Sequence, residues 1–300
     1  MRSRTTALLF LLQFSLLGQE SVEKQSASES KPVYTAITVT ATLGREQEAA
    51  EAPNLTLVRD RDDLIARPLQ TIGESLEGTP GILVQKSSTS QVSPFLRGLT
   101  GYQVLNLIDG VRFNNSTFRS GPNQYLAFME PAQARQVEAV LGPAGSLYGS
   151  DAMGGTLQVL TLDPAFSDGT RREWHGDLSL FGGTADLSGG VTAQLSVGGA
   201  RAAWLFGGAV RRHNDLRGGG SADSRHVFRR LFGLDNGTIR SLTGSRMPDT
   251  AFAQSGAHTK LLLRPDERQS FTAWYQFSEQ TGTDGYKDLW GGLGPHAVEV

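Results

Sequence analysis

The chain has 300 residues, 36 of them glycine, and charged side chains make up 19%. Low charge with an excess of glycine fits a turn-rich β protein and argues against a helical one. A formal net charge of −2 leaves no whole-chain footprint for nucleic acid, and the absence of cysteine excludes disulfide and thiolate chemistry.

Met1 to Leu17 places Arg2 and Arg4 ahead of an apolar run that starts at Ala7 and is interrupted only by Gln13 and Ser15. A positive start, and a run shorter than the about 20 apolar residues that span a bilayer, predict a signal peptide over residues 1–18. Residues 19–53 are expected to be a disordered segment, since Gln19 to Ser30 offers Ser, Glu, Gln and Lys and almost nothing to bury. Inside it lies the alternating, β-branched stretch Ile37-Thr38-Val39-Thr40-Ala41-Thr42. Read locally it is a strand without a partner, suited to joining another protein's sheet edge, or else the first strand of the domain that follows.

Leu55 to Val58 reads as a strand. Thr71 to Glu77 reads as a short helix, with Thr71 and Glu74 in capping-box spacing and Gly78 and Pro80-Gly81 as its stop. Ile82 to Val84 reads as a buried strand and Ser87 to Ser93 as a polar loop. Leu105 to Ile108, Asp109-Gly110 and Val111 to Phe113 form a hairpin, because Asp-Gly tolerates the positive φ of a tight turn. Asn114 to Tyr125 mixes amides with aromatics, a composition that suits a large, partly apolar ligand. Glu130 to Leu141 reads as a short helical start and then a strand with Val137 and Val140 inward. Thr156 to Leu162 is a last alternating strand, closed by Asp163-Pro164.

From Arg172 the pattern changes to longer alternating segments: Trp174 to Leu180, Leu187 to Val197, Ala202 to Val210, Thr259 to Leu263 and Phe271 to Phe277. Alternation alone suits a transmembrane β-strand or a half-buried soluble one. The connections discriminate. They run short at 198–201, long from about Arg212 to Ala251, and short again at 264–268, the parity of a barrel with short periplasmic turns. The stretch Arg211 to Met247 holds eight arginines against three aspartates, a local charge of +5 that attracts anions or lipid phosphates.

Two motifs stand in order: Arg97-Gly98-Leu99 leading to Leu105-Asn106-Leu107-Ile108-Asp109-Gly110-Val111-Arg112, then Leu141-Gly142-Pro143 through Leu147-Tyr148-Gly149-Ser150 to Gly154-Gly155. Here the chain resembles the plug domain of TonB-dependent outer-membrane receptors, closely over residues 35–165. The resemblance implies a mixed α+β plug domain (54–165) followed by antiparallel transmembrane β-barrel strands (171–300), an incomplete barrel of the 22-stranded type. It implies a TonB box at 37–42, with Ile37, Thr38, Val39, Thr40 and Ala41 binding a periplasmic energy-coupling protein. Arg97 would lock the plug to a barrel carboxylate. Ser87, Ser88, Gln91, Asn114, Asn115, Phe118, Arg119 and Tyr125 would sit on ligand-facing apical loops. The implied activity is energy-coupled uptake of a scarce extracellular ligand of the ferric siderophore, haem or cobalamin class, with outer-membrane lipid as the solvent of the barrel.

The chain departs from the family pattern at Leu141, where such receptors often carry arginine. Five strands also fall short of the about eight of the smallest bacterial barrels, which predicts the N-terminal part of a longer protein or a non-transporting remnant. The remaining reading is a secreted β-sandwich adhesin or enzyme. No enzyme chemistry, cofactor or metal site is expected. The five histidines are never closer than thirteen residues, and neither a Walker A loop nor a Gly-x-Ser-x-Gly elbow occurs.

Overall fold

The computed structural model describes residues 36–42, 44–115, 117, 121–169, 171–217, 225–242, 246 and 249–283. The predicted signal peptide lies outside them.

Two short strands, β1 (Ile37–Thr38) and β2 (Gln47–Glu48), pair antiparallel. β3 (Leu55–Arg59) leads into helix α1 (Arg61–Ile65), started by Asp60, whose Oδ1 accepts from the Asp63 amide at 3.0 Å. The helix expected over 71–77 is a 3-10 turn at Ile72–Leu76. Thr71 makes no side-chain cap; Glu74 instead reaches back to the Gln70 amide at 2.8 Å and pairs with Lys86 at 2.9 Å.

The polar loop expected at 87–93 is largely strand. β4 (Ile82–Ser88) and β5 (Gln91–Leu96) form a hairpin around Thr89-Ser90. Val92 and Leu96 are fully buried, so the polar residues of β5 ride on a strand pinned by its apolar ones.

β6 (Val104–Ile108) turns through Asp109-Gly110 into β7 (Val111–Arg112), with φ of 47° and 81° at the two turn residues. β8 (Ala134–Leu141), helix α2 (Gly145–Tyr148) and β9 (Gly155–Thr161) follow. The sheet order is β3-β8-β9-β6-β7, with only β6–β9 parallel. β6 is buried on both faces: Val104 and Ile108 join the main core with Leu126, Met129, Val137 and Leu157, while Leu105 and Leu107 meet Ala144 and Ala152 behind it. Leu141 belongs to the main core, so the position that departs from the family pattern does apolar packing here. At Gly155, φ is 149° and an added Cβ would sit 2.3 Å from the Val140 carbonyl oxygen, so a side chain there would drive β9 off β8.

The second sheet runs β10 (Glu173–Gly183), β11 (Ser188–Gly198), β12 (Ala202–His213), β13 (Phe252–Asp266) and β14 (Gln269–Thr281), each antiparallel to its sequence neighbour. One face carries Leu178, Leu180, Leu195, Trp204, Phe206, Tyr275 and Phe277, all exposed. The other turns Leu205, Arg211, Gln254 and Lys260 inward, buried against the first domain. β11–β12 and β13–β14 connect tightly at one end of the sheet, as expected; at the other end β12–β13 is joined by the long loop carrying α3 (Arg225–Phe232) and α4 (Asn236–Leu242), whereas β10–β11, where parity calls for an outside loop, is also tight.

Candidate functional site

Of the stretch expected as a strand, only Ile37–Thr38 is one, paired with β2, while Thr40–Thr42 is a 3-10 turn, and the whole segment is held within this chain. The physical reason is a buried carboxylate a hundred residues away. Glu138, on β8, is 0% exposed. Its Oε2 accepts from Thr38 Oγ1 at 2.5 Å, from the Val39 amide at 3.1 Å and from the Thr40 amide at 2.8 Å. Gln136 Nε2 donates to its Oε1 at 2.6 Å and to the Ile37 carbonyl at 2.8 Å. Four donors thus compensate the desolvated charge, as a buried carboxylate requires. The Tyr148 hydroxyl closes the far end on the Thr40 carbonyl at 2.8 Å. Burial first, and then the Glu138 charge, raise the Tyr148 pKa and keep that hydroxyl a donor. Thr38, Thr40 and Ala41 are buried, Val39 half-buried and Ile37 exposed. The one local signal of this clasp was Glu138 itself, a charge inside the apolar run Val137 to Leu141.

Two buried ion-pair clusters fasten the second sheet to the first. Barrel cations meet plug carboxylates. Arg211 on β12 pairs with Glu130 at 2.9 Å and also donates to Gln254 Oε1 at 2.9 Å and the Leu69 carbonyl at 2.7 Å. Lys260 on β13 pairs with Asp109 at 2.9 Å and Asp163 at 2.6 Å, and bonds Thr161 Oγ1 at 2.7 Å. Asp109 therefore serves as turn residue, as acceptor for the Thr161 amide at 2.8 Å and as ion partner. Arg97 is exposed, with φ of 49°, and its guanidinium lies over Gly142, where an added Cβ would be 3.1 Å from Nη1. It makes no ion pair among the described residues.

The residues expected on apical loops divide. Ser88 Oγ lies 3.0 Å from Ser90 Oγ at the β4–β5 turn, near Gln91; Ser87 is on β4 and its side chain lies outside the described residues, as do Phe118 and Arg119. Asn114 is structural: its Oδ1 accepts from the Asn106 amide at 2.8 Å and its Nδ2 donates to the Val104 carbonyl at 2.9 Å. Tyr125 is 2% exposed, edge-on to Phe113 at 5.8 Å, and its hydroxyl holds the backbone of exposed Asn115 at 2.9 and 3.0 Å. It positions the loop from beneath. Sequence reasoning also counted Arg211 with the charged loop, whereas it ends up inside the lock.

A small mixed sheet fastened to the inner face of an up-and-down strand array, whose other face is apolar, is the architecture of a plugged outer-membrane receptor. Residues 48–156 match the family model described as TonB-dependent Receptor Plug Domain, so this stretch is similar to the plug of TonB-dependent receptors. It is 31% identical over 164 residues to a hemin receptor of Yersinia pestis, covering 54% of this chain and 23% of that one. It is 33% identical over 144 residues to the vitamin B12 transporter BtuB of Vibrio vulnificus, covering 47% and 23%. These names are of receptors and transporters, not enzymes, and the chain spans about a quarter of the length of either relative. In fold it is similar to the pyoverdine outer membrane receptor FpvA from Pseudomonas aeruginosa, with TM-score 0.57 at 16% identity over 84% of this chain and 31% of that one. It is likewise similar to the copper transporter OprC, with TM-score 0.57 at 17% identity over 75% and 30%.

Proposed function

We propose that this chain is the plug and first barrel strands of an outer-membrane receptor that takes up a scarce extracellular ligand of the ferric siderophore, haem or cobalamin class. The reading that Ile37 to Ala41 is the segment engaged by a periplasmic energy-coupling protein is supported above all by its clasp. The Val39 and Thr40 amides and the Ile37 and Thr40 carbonyls are held by side chains of Glu138, Gln136 and Tyr148. Those are backbone groups that a partner strand would use, and side-chain bonds can be exchanged for a ladder without disturbing the sheet beneath. The hemin and vitamin B12 names of two relatives support the ligand class.

The test is capture by the periplasmic domain of the coupling protein. Wild-type receptor is expected to bind, and Ile37→Pro, which removes one ladder donor, to bind at least tenfold more weakly while external ligand binding persists. Equal capture of both proteins overturns the assignment of the box.

A further inference from the structure

Between α1 and the inner faces of β10 to β12 lies a cavity of about 510 Å³. That volume is within the range of about 300–1,000 Å³ typical of small-molecule sites. Leu64, Leu69, Pro131 and Phe181 contribute apolar lining. Three arginines, Arg61, Arg67 and Arg211, line it against one carboxylate, Glu130, which Arg211 already pairs at 2.9 Å.

Arg61 and Arg67 have no carboxylate partner among the described residues. Arg61 is half-buried, and its Nη1 donates to the carbonyls of Ala132 at 3.2 Å and Ala134 at 2.8 Å. No carboxylate among the described residues lies within ion-pair distance of it. Burial lowers its pKa from the usual arginine value, and only the charge of Asp177 opposes this. Arg211 is 6% exposed, and its Nε has no hydrogen-bond partner among the described residues. Arg67 is exposed at the rim. A desolvated guanidinium that meets carbonyls rather than carboxylates leaves charge to be matched, and its planar fork suits a bidentate anion.

We propose that this cavity binds an organic anion: a carboxylate head on Arg61 and Arg67, and an apolar body against Leu64, Leu69 and Phe181. The inference requires neither the box nor uptake, since it concerns occupancy of the cavity alone.

The experiment is ¹⁹F NMR on the full chain in detergent, with 4-fluorobenzoate as probe and 4-fluorobenzamide as its neutral control against micelle partitioning. Saturable broadening is expected for the carboxylate and not for the amide. Arg61→Gln is expected to weaken it at least tenfold, with Arg61→Lys intermediate. Because Arg61 also ties the Ala132 and Ala134 carbonyls, Arg67→Gln at the exposed rim is the second variant, expected to weaken binding several-fold on an intact fold. Identical behaviour of the two probes, or benzoate binding unchanged in a folded Arg61→Gln or Arg67→Gln protein, overturns the proposal.

Discussion

Replacing Glu138 by Gln keeps the shape of the clasp and removes its charge. Three box donors, Thr38 Oγ1 and the amides of Val39 and Thr40, converge on that carboxylate. A hydrogen bond to an ionised acceptor contributes about 1.5–3 kcal/mol net and a neutral one about 0.5–1.5, so each donor loses about 1 kcal/mol. The sum, about 3 kcal/mol, lowers the docked-to-undocked ratio roughly 100-fold. The glutamine amide also sets a donor against a donor, either Gln136 Nε2 or the Val39 amide. The chain contains no cysteine, so a single Val39→Cys reports the segment without background. Thiol labelling of purified receptor in bicelles is expected to run at least tenfold faster when Glu138→Gln is added. Equal labelling rates in the two backgrounds, with the plug equally resistant to protease, would refute the argument that this carboxylate holds the segment.

Arg211→Met leaves Glu130, which is 0% exposed, without its cation, and is expected to cost the plug about 3–5 kcal/mol, read as a shift of its denaturant midpoint. Adding Glu130→Gln should recover most of that loss; a double variant no more stable than the single one would rule out the pairing. Lys86 supplies a pH signature. Burial opposes its charge, but hydrogen bonds to Glu77 and Glu74 outweigh burial and raise its pKa above 10.5. A raised folded-state value means the stabilisation is complete below pH 10.5 and is lost as pH rises through the higher value. With the Lys86 side chain 38% exposed the effect is modest, and the stability advantage over Lys86→Met should be flat from pH 7 to about 10 and shrink above it. An advantage that shrinks already near neutrality would contradict this.

Local chemistry was enough where neighbours in sequence are neighbours in space. Asp109-Gly110 took the positive φ that a two-residue turn demands, and the alternation of Leu195 with Gln194 and Ser196 matched the two faces of β11. It failed where the partner is remote. Nothing near Ile37 announces Glu138, and nothing near Arg211 announces Glu130, 81 positions away. The β4–β5 hairpin was hidden for a different reason: the serines and threonine at 87–90 mask a strand that only the burial of Val92 and Leu96 on the core makes worthwhile. Tyr125 misled because an aromatic in a polar loop reads as offered to solvent, when the ring fills the space beside Phe113.

The order of the first sheet sets how the molecule yields to a tug. Once the Glu138 clasp has let go, tension applied at Ile37 travels through β2 and arrives at β3, an outermost strand that among the described residues is laddered to β8 alone and over five residue pairs. Such a strand can be peeled away pair by pair, like the end of a tape. The four strands behind it are spared, because Glu130 and Asp163, just before β8 and just after β9, are moored to the barrel wall. A pull along the chain is therefore expected to part Leu55 to Arg59 from β8 before the rest of the sheet yields.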